Sequence, residues 1–281
     1  MIDLHTHTCF SDGTDTPEEL IRHAKEKGVE VIALTDHNTV GGVKRFMTAA
    51  KEQGVLGVPG IEISTEYGKK ELHIIALLVK EAHFDEIEAK MLDLKRRKAE
   101  ANRLLVQNLN KTGYRISYDE LVKAHHNGNV NRAHIAAFLT ETGQTPSIRE
   151  AFSTLLKEEC GLYVPPKRLD ALESIAYIRS LGALPILAHP FLQFNREELE
   201  EFLPKAKAAG LIAMETEYSM YDEETTKTAR EVADTYGILC SGGSDYHGGN
   251  KPYISLGKGQ GNLEVSMSLW KKLYSAYKSL Q

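Results

Sequence analysis

The sequence predicts an α/β protein built on a largely parallel sheet of about seven strands, interrupted by a helical insertion. Three observations carry this. Short, almost wholly apolar runs recur along the 281-residue chain, the pattern of strands covered on both faces. Most of these runs are separated by segments of helical periodicity. From residue 84 to about 160 the runs stop, and Lys, Glu, Leu and Ala recur at helical spacing. Periodicity leaves open whether the seven strands form an open sheet or a barrel.

The elements follow in order. Met1 to Leu4 is the first strand. Thr16 and Glu19 make a capping box around Pro17 at the first helical position, and Gly28 stops that helix. Val29 to Leu34 is the second strand. A helix covers Val40 to Gln53 and stops at Gly54, and strands three and four follow at Val55 to Ile63 and Leu72 to Val79. Beyond the insertion, a helix opens at Asp170 and ends near Gly182, and Leu184 to Ala188 is the fifth strand. Arg196 to Ala209 is a helix, Leu211 to Met214 the sixth strand, Glu223 to Tyr236 a helix and Ile238 to Ser241 the seventh strand. Glu264 to Leu280 is the closing helix. No internal repeat is visible.

Composition narrows the function. The net charge of −5 and the 42% apolar fraction are those of a soluble globular protein. A mildly acidic chain is a poor candidate for tight, nonspecific binding to nucleic acid or to a membrane surface, which needs a basic patch, though a local basic pocket is still allowed. No apolar run approaches the ~20 residues of a membrane-spanning helix. The opening Met1-Ile-Asp-Leu-His5 lacks the basic and apolar regions of a secretory signal. Cys9, Cys160 and Cys240 are odd in number and far apart, which predicts reduced thiols in a cytoplasmic protein.

Metal-ligand residue types gather at predicted strand ends. His5, His7 and Asp12 follow the first strand, His37 the second, His189 the fifth, and Asp245 and His247 the seventh; Glu62 lies near the end of the third. His73 is the exception, near the start of the fourth strand. Side chains at the carboxyl ends of parallel strands converge on one face, where active sites form. Each motif alone is weak, since a lone His-x-His is often solvent-facing. Together they are hard to explain as packing, because crowded imidazoles and carboxylates with no cation would leave lone pairs unmet. Nine such donors exceed the three or four protein ligands of one catalytic ion and suit two or three divalent ions. Imidazole and carboxylate without thiolate fit manganese, iron or zinc. The remaining histidines, at 23, 83, 125, 126 and 134, fall on predicted helices or in the insertion.

The motifs His5-Thr-His7, Thr35-Asp36-His37, Glu62, His73, Ala188-His189-Pro190 and Ser244-Asp245-Tyr246-His247 resemble those of the PHP (polymerase and histidinol phosphatase) superfamily. The resemblance implies a distorted (β/α)7 barrel of PHP type with an inserted helical subdomain. The barrel would take residues 1–83 and 166–281, and the insertion, as a substrate cap, residues 84–165. It also implies three ions, manganese first. His5, His7, Glu62 and Asp245 would hold one. Glu62 would bridge to a second, held also by His73 and His189. Asp12, His37 and His247 would hold the third. The opening His5-Thr-His7 to Ser11-Asp12-Gly13 resembles stand-alone phosphoesterases with Asp at the third-metal position, and Asn131-Arg132-Ala133-His134-Ile135-Ala136 and Tyr163-Val164-Pro165 resemble features of the nucleoside 3′,5′-bisphosphate phosphatase and 5′-to-3′ oligoribonuclease group. Ala133 stands where that group more usually has proline.

The expected activity is hydrolysis of a nucleotide phosphomonoester, a nucleoside 3′,5′-bisphosphate or a mononucleotide, by ion-activated water. Alternatives are a 5′-to-3′ exoribonuclease on short RNA, a histidinol phosphate phosphatase, or a noncatalytic metal-binding module. Arg132 is the candidate phosphate clamp, since a guanidinium grips two oxygens in one plane. His134 would bind phosphate or protonate the leaving oxygen. Lys167 and Arg168 would meet a second phosphate. For each, a solvated or salt-bridged residue is the competing reading. Asp36 is expected either to orient a ligand imidazole or to cap a turn. Glu215, beside Thr216 and Glu217, is read as structural ahead of a place near the metals, and Tyr246 as packing.

Overall fold

The computed structural model describes residues 1–124 and 130–280. His125 and His126 of the insertion lie outside the described residues. The chain divides into two compact units: Met1–Glu88 with Arg168–Gln281, and Ala89–Lys167.

The first unit is a mixed α/β domain around one sheet. Its strands are β1 (Ile2–Asp3), β2 (Val31–Leu34), β3 (Leu56–Tyr67), β4 (Lys70–Leu77), β5 (Leu169–Asp170), β6 (Leu184–Leu187), β7 (Ala213–Tyr218) and β8 (Leu239–Gly243), in the order β1-β2-β3-β4-β6-β7-β8, with β5 paired to β3. The helices between them are α1 (Pro17–Glu26) and α2 (Val43–Gln53), and, after the insertion, α7 (Ala171–Ser180), α8 (Arg196–Ala209), α9 (Glu223–Thr235) and α10 (Met267–Lys278). Thr16 and Glu19 close the expected capping box on α1, and Gly54 ends α2 at φ 67°.

The sheet curls into a nearly closed barrel. Beyond β8 the chain meets the continuation of β1: Leu4 N–H donates to Gly242 O at 3.2 Å, Asp245 N–H to His5 O at 2.9 Å and His7 N–H to Tyr246 O at 2.9 Å. That approach needs glycine at 243, where any Cβ would collide with the His5 backbone. Asp3 clamps the same seam. Its fully buried carboxylate accepts from Ser244 N–H and Gly257 N–H at 2.8 Å and from Ser244 Oγ at 2.6 Å. Asp3→Ala would strand those buried donors, at about 1–3 kcal/mol each before relaxation. We expect a loss of about 2–4 kcal/mol in urea unfolding; a loss below about 0.5 kcal/mol, the range of ordinary surface changes, would refute the clamp.

Two differences from the sequence-based expectation matter for the site. β4 is antiparallel to both β3 and β6, whereas the other pairings are parallel. The start of β4 therefore lies beside the later part of β3, and Ser64 faces His73 across the pair. This is why His73 reaches the same end of the barrel as ligands at strand carboxyl ends. β3 and β7 also run further than their apolar runs, so Glu62 and Glu215 lie within strands rather than at their ends. Their buried polar residues hid the continuation.

Alternation along the strands separates floor from rim. Val31 and Ala33, Val58, Ile75 and Leu77, Leu184 and Ile186 join one buried core with Trp270 and Leu273 of α10. Side chains two residues apart share a face. Glu62 and His73 therefore stand on the same face as Val58 and Ile75, further toward the rim.

The second unit contains α4 (Tyr118–Ala124), α5 (Arg132–Glu141), α6 (Ile148–Ala151), a π-helical turn at Phe152–Leu156 and most of α3 (Phe84–Lys111). It has its own core, including Leu105, Leu109, Ile135, Leu139 and Leu156. No strand occurs among its described residues. No described helix is long and apolar enough to cross a membrane, and no disulfide joins Cys9, Cys160 or Cys240.

Candidate metal centre

The barrel rim gathers the nine predicted donors into one cluster. Four overlapping groups have ligand atoms within 4.8 Å of one another: His7, Asp12, His37 and His247; His5, His7 and Asp245; His5, Glu62 and His189; His37, Glu62 and His73. Local backbone builds them in. Short parallel bridges join Thr6 to Tyr246 and His37 to Glu62, extending the sheet into the loops. His189 (φ 29°) and Asp245 (φ 56°) sit at positive φ, a strain that tertiary contacts must hold and that concentrates at functional sites.

Glu62 is the hub. Its Oε2 lies 3.2 Å from His5 Nε2, 3.2 Å from His7 Nε2 and 3.1 Å from His37 Nδ1. Its Oε1 lies 2.9 Å from His73 Nδ1 and 3.2 Å from His189 Nε2. Asp245 Oδ1 lies 3.2 Å from His7 Nε2, and His5 Nε2 is 3.0 Å from His7 Nε2. Donors sharing an ion at about 2.0–2.1 Å are separated by roughly 3.0–3.4 Å. The buried Nδ1 atoms of His37 and His189 have no hydrogen-bond partner among the described residues, so the close His37–Glu62 approach is not a hydrogen bond. The donor set fits divalent cations, with no thiolate to restrict them to soft metals.

The surrounding groups fix the donors. Glu215, 1% exposed, sets Oε1 2.9 Å from His5 Nδ1 and accepts the His189 N–H on Oε2 at 2.7 Å. It therefore orients the His5 imidazole and holds the strained backbone of His189, a positioning role close to the predicted donors. Asp36 touches no donor imidazole directly. It accepts from Thr8 N–H (2.7 Å), Thr8 Oγ1 (2.6 Å) and Ser11 Oγ (2.6 Å), shaping the loop between His7 and Asp12. Glu217 pairs with Arg230 through two contacts of 2.7 Å. Tyr246 donates to Asp15, which also meets His23. Tyr218 and Lys251, absent from the sequence reading, both reach Asp245 Oδ2, at 2.8 and 2.7 Å. No motif marks them, and only the fold brings Tyr218 there.

Burial opposes charge on His7, but hydrogen bonds to Asp245 and Glu62 outweigh it and push it up to about 9. Burial likewise opposes charge on His73, and Glu62 and Glu71 overcome it to reach about 10. His37 is pulled down to about 3 by burial, which Glu62 and Asp12 only partly offset. An ion held by His7 and His73 would displace their protons at neutral pH. Metal affinity is therefore expected to rise with pH from about 6 toward 9–10, with proton release, and to weaken on acidification. Calorimetric titration in buffers of different ionisation enthalpy checks this; flat affinity without proton release would refute it.

The other predicted residues are not among the nine donors. Arg132, at the start of α5, donates to Leu156 O at 3.1 Å and lies 4.4 Å from the Tyr163 ring centroid. His134 closes the α5 cap: its Nδ1 accepts the Asn131 N–H at 3.3 Å. Both belong to the second unit, as does the exposed Lys167. Arg168 is ion-paired with Glu71 at 2.7 Å, and Glu71 lies 3.5 Å from His73 Nε2.

A nearly closed α/β barrel with imidazoles and carboxylates at coordination spacing on its rim defines a candidate metal-binding protein of barrel type. The family model described as the PHP domain matches residues 3–163, and the chain belongs to the PHP family. It is 33% identical over 282 residues to a 5′-3′ exoribonuclease of Haemophilus influenzae, covering 96% of this chain and 98% of that one. It is 26% identical to a 3′,5′-nucleoside bisphosphate phosphatase of Chromobacterium violaceum, covering 97% and 96%. A solved amidohydrolase structure from Chromobacterium violaceum, with bound sulfate, superposes with a TM-score of 0.83 at 25% identity, covering 98% and 96%. The protein is a metal-dependent phosphoesterase, a hydrolase of phosphate esters.

Proposed function

We propose that the protein hydrolyses a phosphomonoester of a nucleotide, a nucleoside 3′,5′-bisphosphate or a mononucleotide, at a centre of two or three divalent ions, manganese first. The observation that carries this is Glu62: one buried carboxylate whose two oxygens face separate sets of imidazoles, as a bridge between ions requires. His5, His7, Glu62 and Asp245 would hold one ion. Glu62, His73 and His189 would hold a second, and Asp12, His37 and His247 a third. Bound there, the ions would lower the pKa of a water and offset charge on the phosphate oxygens.

The remaining steps belong to the chain's own side chains. Arg132 grips phosphate: its guanidinium, held against the Tyr163 ring and the Leu156 carbonyl, loses little freedom on binding. His134 binds phosphate or protonates the leaving oxygen. Lys167 adds charge for a second phosphate, and the insertion caps the substrate. Arg168, ion-paired with Glu71, would join Lys167 at the second phosphate. The three thiols, none in a disulfide, accord with a reducing cytoplasm.

A second reading is 5′-to-3′ exoribonuclease action on short RNA, favoured by the likeness to the Haemophilus influenzae enzyme. The manganese-loaded protein should be assayed on mononucleotides, 3′,5′-bisphosphates, histidinol phosphate and short 5′-phosphorylated RNA. The proposal expects the highest kcat/KM on a nucleotide monoester. Faster turnover of RNA would select the second reading, and a preference for histidinol phosphate would sink both.

A further inference from the structure

A cation stands among the donors that the sequence did not mark. Lys251 Nζ lies 2.7 Å from Asp245 Oδ2. The other oxygen of that carboxylate faces His7, His247 and His5 at 3.2, 3.5 and 3.6 Å. The Lys251 side chain is 32% exposed and that of Asp245 9%, so the lysine reaches the cluster from the solvent side. Its place is fixed. It follows a 3-10 turn at Gly248–Asn250, and that turn is clasped to the loop bearing Asp12 by Asn250 Nδ2 to Asp12 O at 2.8 Å and Gly249 N–H to Thr14 Oγ1 at 2.8 Å.

This placement is unfavourable for metal binding alone. A fixed ammonium beside a cation centre repels the ions it adjoins. Asp245 does not need it, because the buried Tyr218 hydroxyl already donates to Oδ2 at 2.8 Å. The placement makes sense when an anion lies between lysine and metals. The contact with Asp245 uses one of the three ammonium donors, so others remain for an oxygen arriving from solvent.

We propose that Lys251 is a phosphate-binding residue of the centre, donating to a nonbridging oxygen of the scissile phosphate, with Tyr218 as the positioning residue that keeps Asp245 in place. The proposal rests on the metal-centre reading given above. It assigns part of the phosphate recognition to the barrel unit itself, beside the donors, rather than to the insertion alone.

The test uses full-length, manganese-loaded protein as wild type, Lys251→Met and Lys251→Arg. Each is titrated with inorganic phosphate by calorimetry, with metal content by elemental analysis and melting temperature on the same samples. Lys251→Met should keep the wild-type metal complement and melting temperature, bind phosphate at least tenfold more weakly and show a raised KM. Lys251→Arg should recover most of the affinity. Unchanged phosphate affinity in Lys251→Met, beside normal binding by wild type, would overturn this proposal alone. So would loss of metal in step with loss of phosphate binding, which would mean that the lysine serves only Asp245. Failure of the wild type to bind phosphate would remove both this proposal and the reading beneath it.

Discussion

Glu62→Gln is expected to lower phosphate-ester hydrolysis by at least about a thousandfold and to strip the protein of most of its bound metal, an effect on the scale of removing a principal electrostatic stabiliser. The change keeps the shape of the side chain, so the effect reports on chemistry rather than on packing. The wild-type carboxylate is fully buried and reaches His5, His7 and His37 with one oxygen, and His73 and His189 with the other. An amide offers one acceptor and one donor group in place of two acceptors. It cannot serve two ions, and it removes a negative charge that His37, His5 and His73 hold well below the usual carboxylate range against the effect of burial. Elemental analysis and kcat on a good phosphomonoester check both parts. A variant that keeps its metals and falls less than about tenfold in rate would show that Glu62 is not the hub.

Glu215→Gln should weaken metal binding by about tenfold to a hundredfold, the usual cost of losing a carboxylate behind a ligand imidazole. The residue acts through others. It fixes the His5 ring and holds the N–H of His189, whose φ of 29° the chain would not adopt unaided. A positioning role has its own signature: kcat should recover toward the wild-type value at saturating metal, while the apparent metal constant stays raised. Unchanged metal affinity, or a kcat deficit that no metal concentration repairs, would contradict it.

Most strands and the positions of the candidate donors are legible in the sequence because both are written in local terms. Apolar runs mark the strands, and His5, His7, His37, His189, Asp245 and His247 each lie just beyond one. The resemblance to the PHP family supplied closure and the grouping of donors, which periodicity could not. What escaped were features set by pairing. The antiparallel β4 carries no sequence mark of its direction, so His73 looked misplaced until its register against Ser64 was known. The ends of β3 and β7 were missed because buried polar residues read as loop, and the two-residue β5 is too short to leave a pattern. Glu215 lies 210 residues from His5, and nothing local connects them. Asp36 sits beside His37 in sequence, yet its carboxylate turns to Thr8 and Ser11. Adjacency in a motif did not give the partner, and Lys251 shows the converse, a site contact with no motif.

The most direct test of the metal centre is anomalous diffraction at the manganese absorption edge from crystals of the manganese-loaded protein. Two or three peaks are expected within coordination distance of His5, His7, Asp12, His37, Glu62, His73, His189, Asp245 and His247, with Glu62 touching two of them. No peak there, or peaks only at other residues, would contradict the account at its foundation.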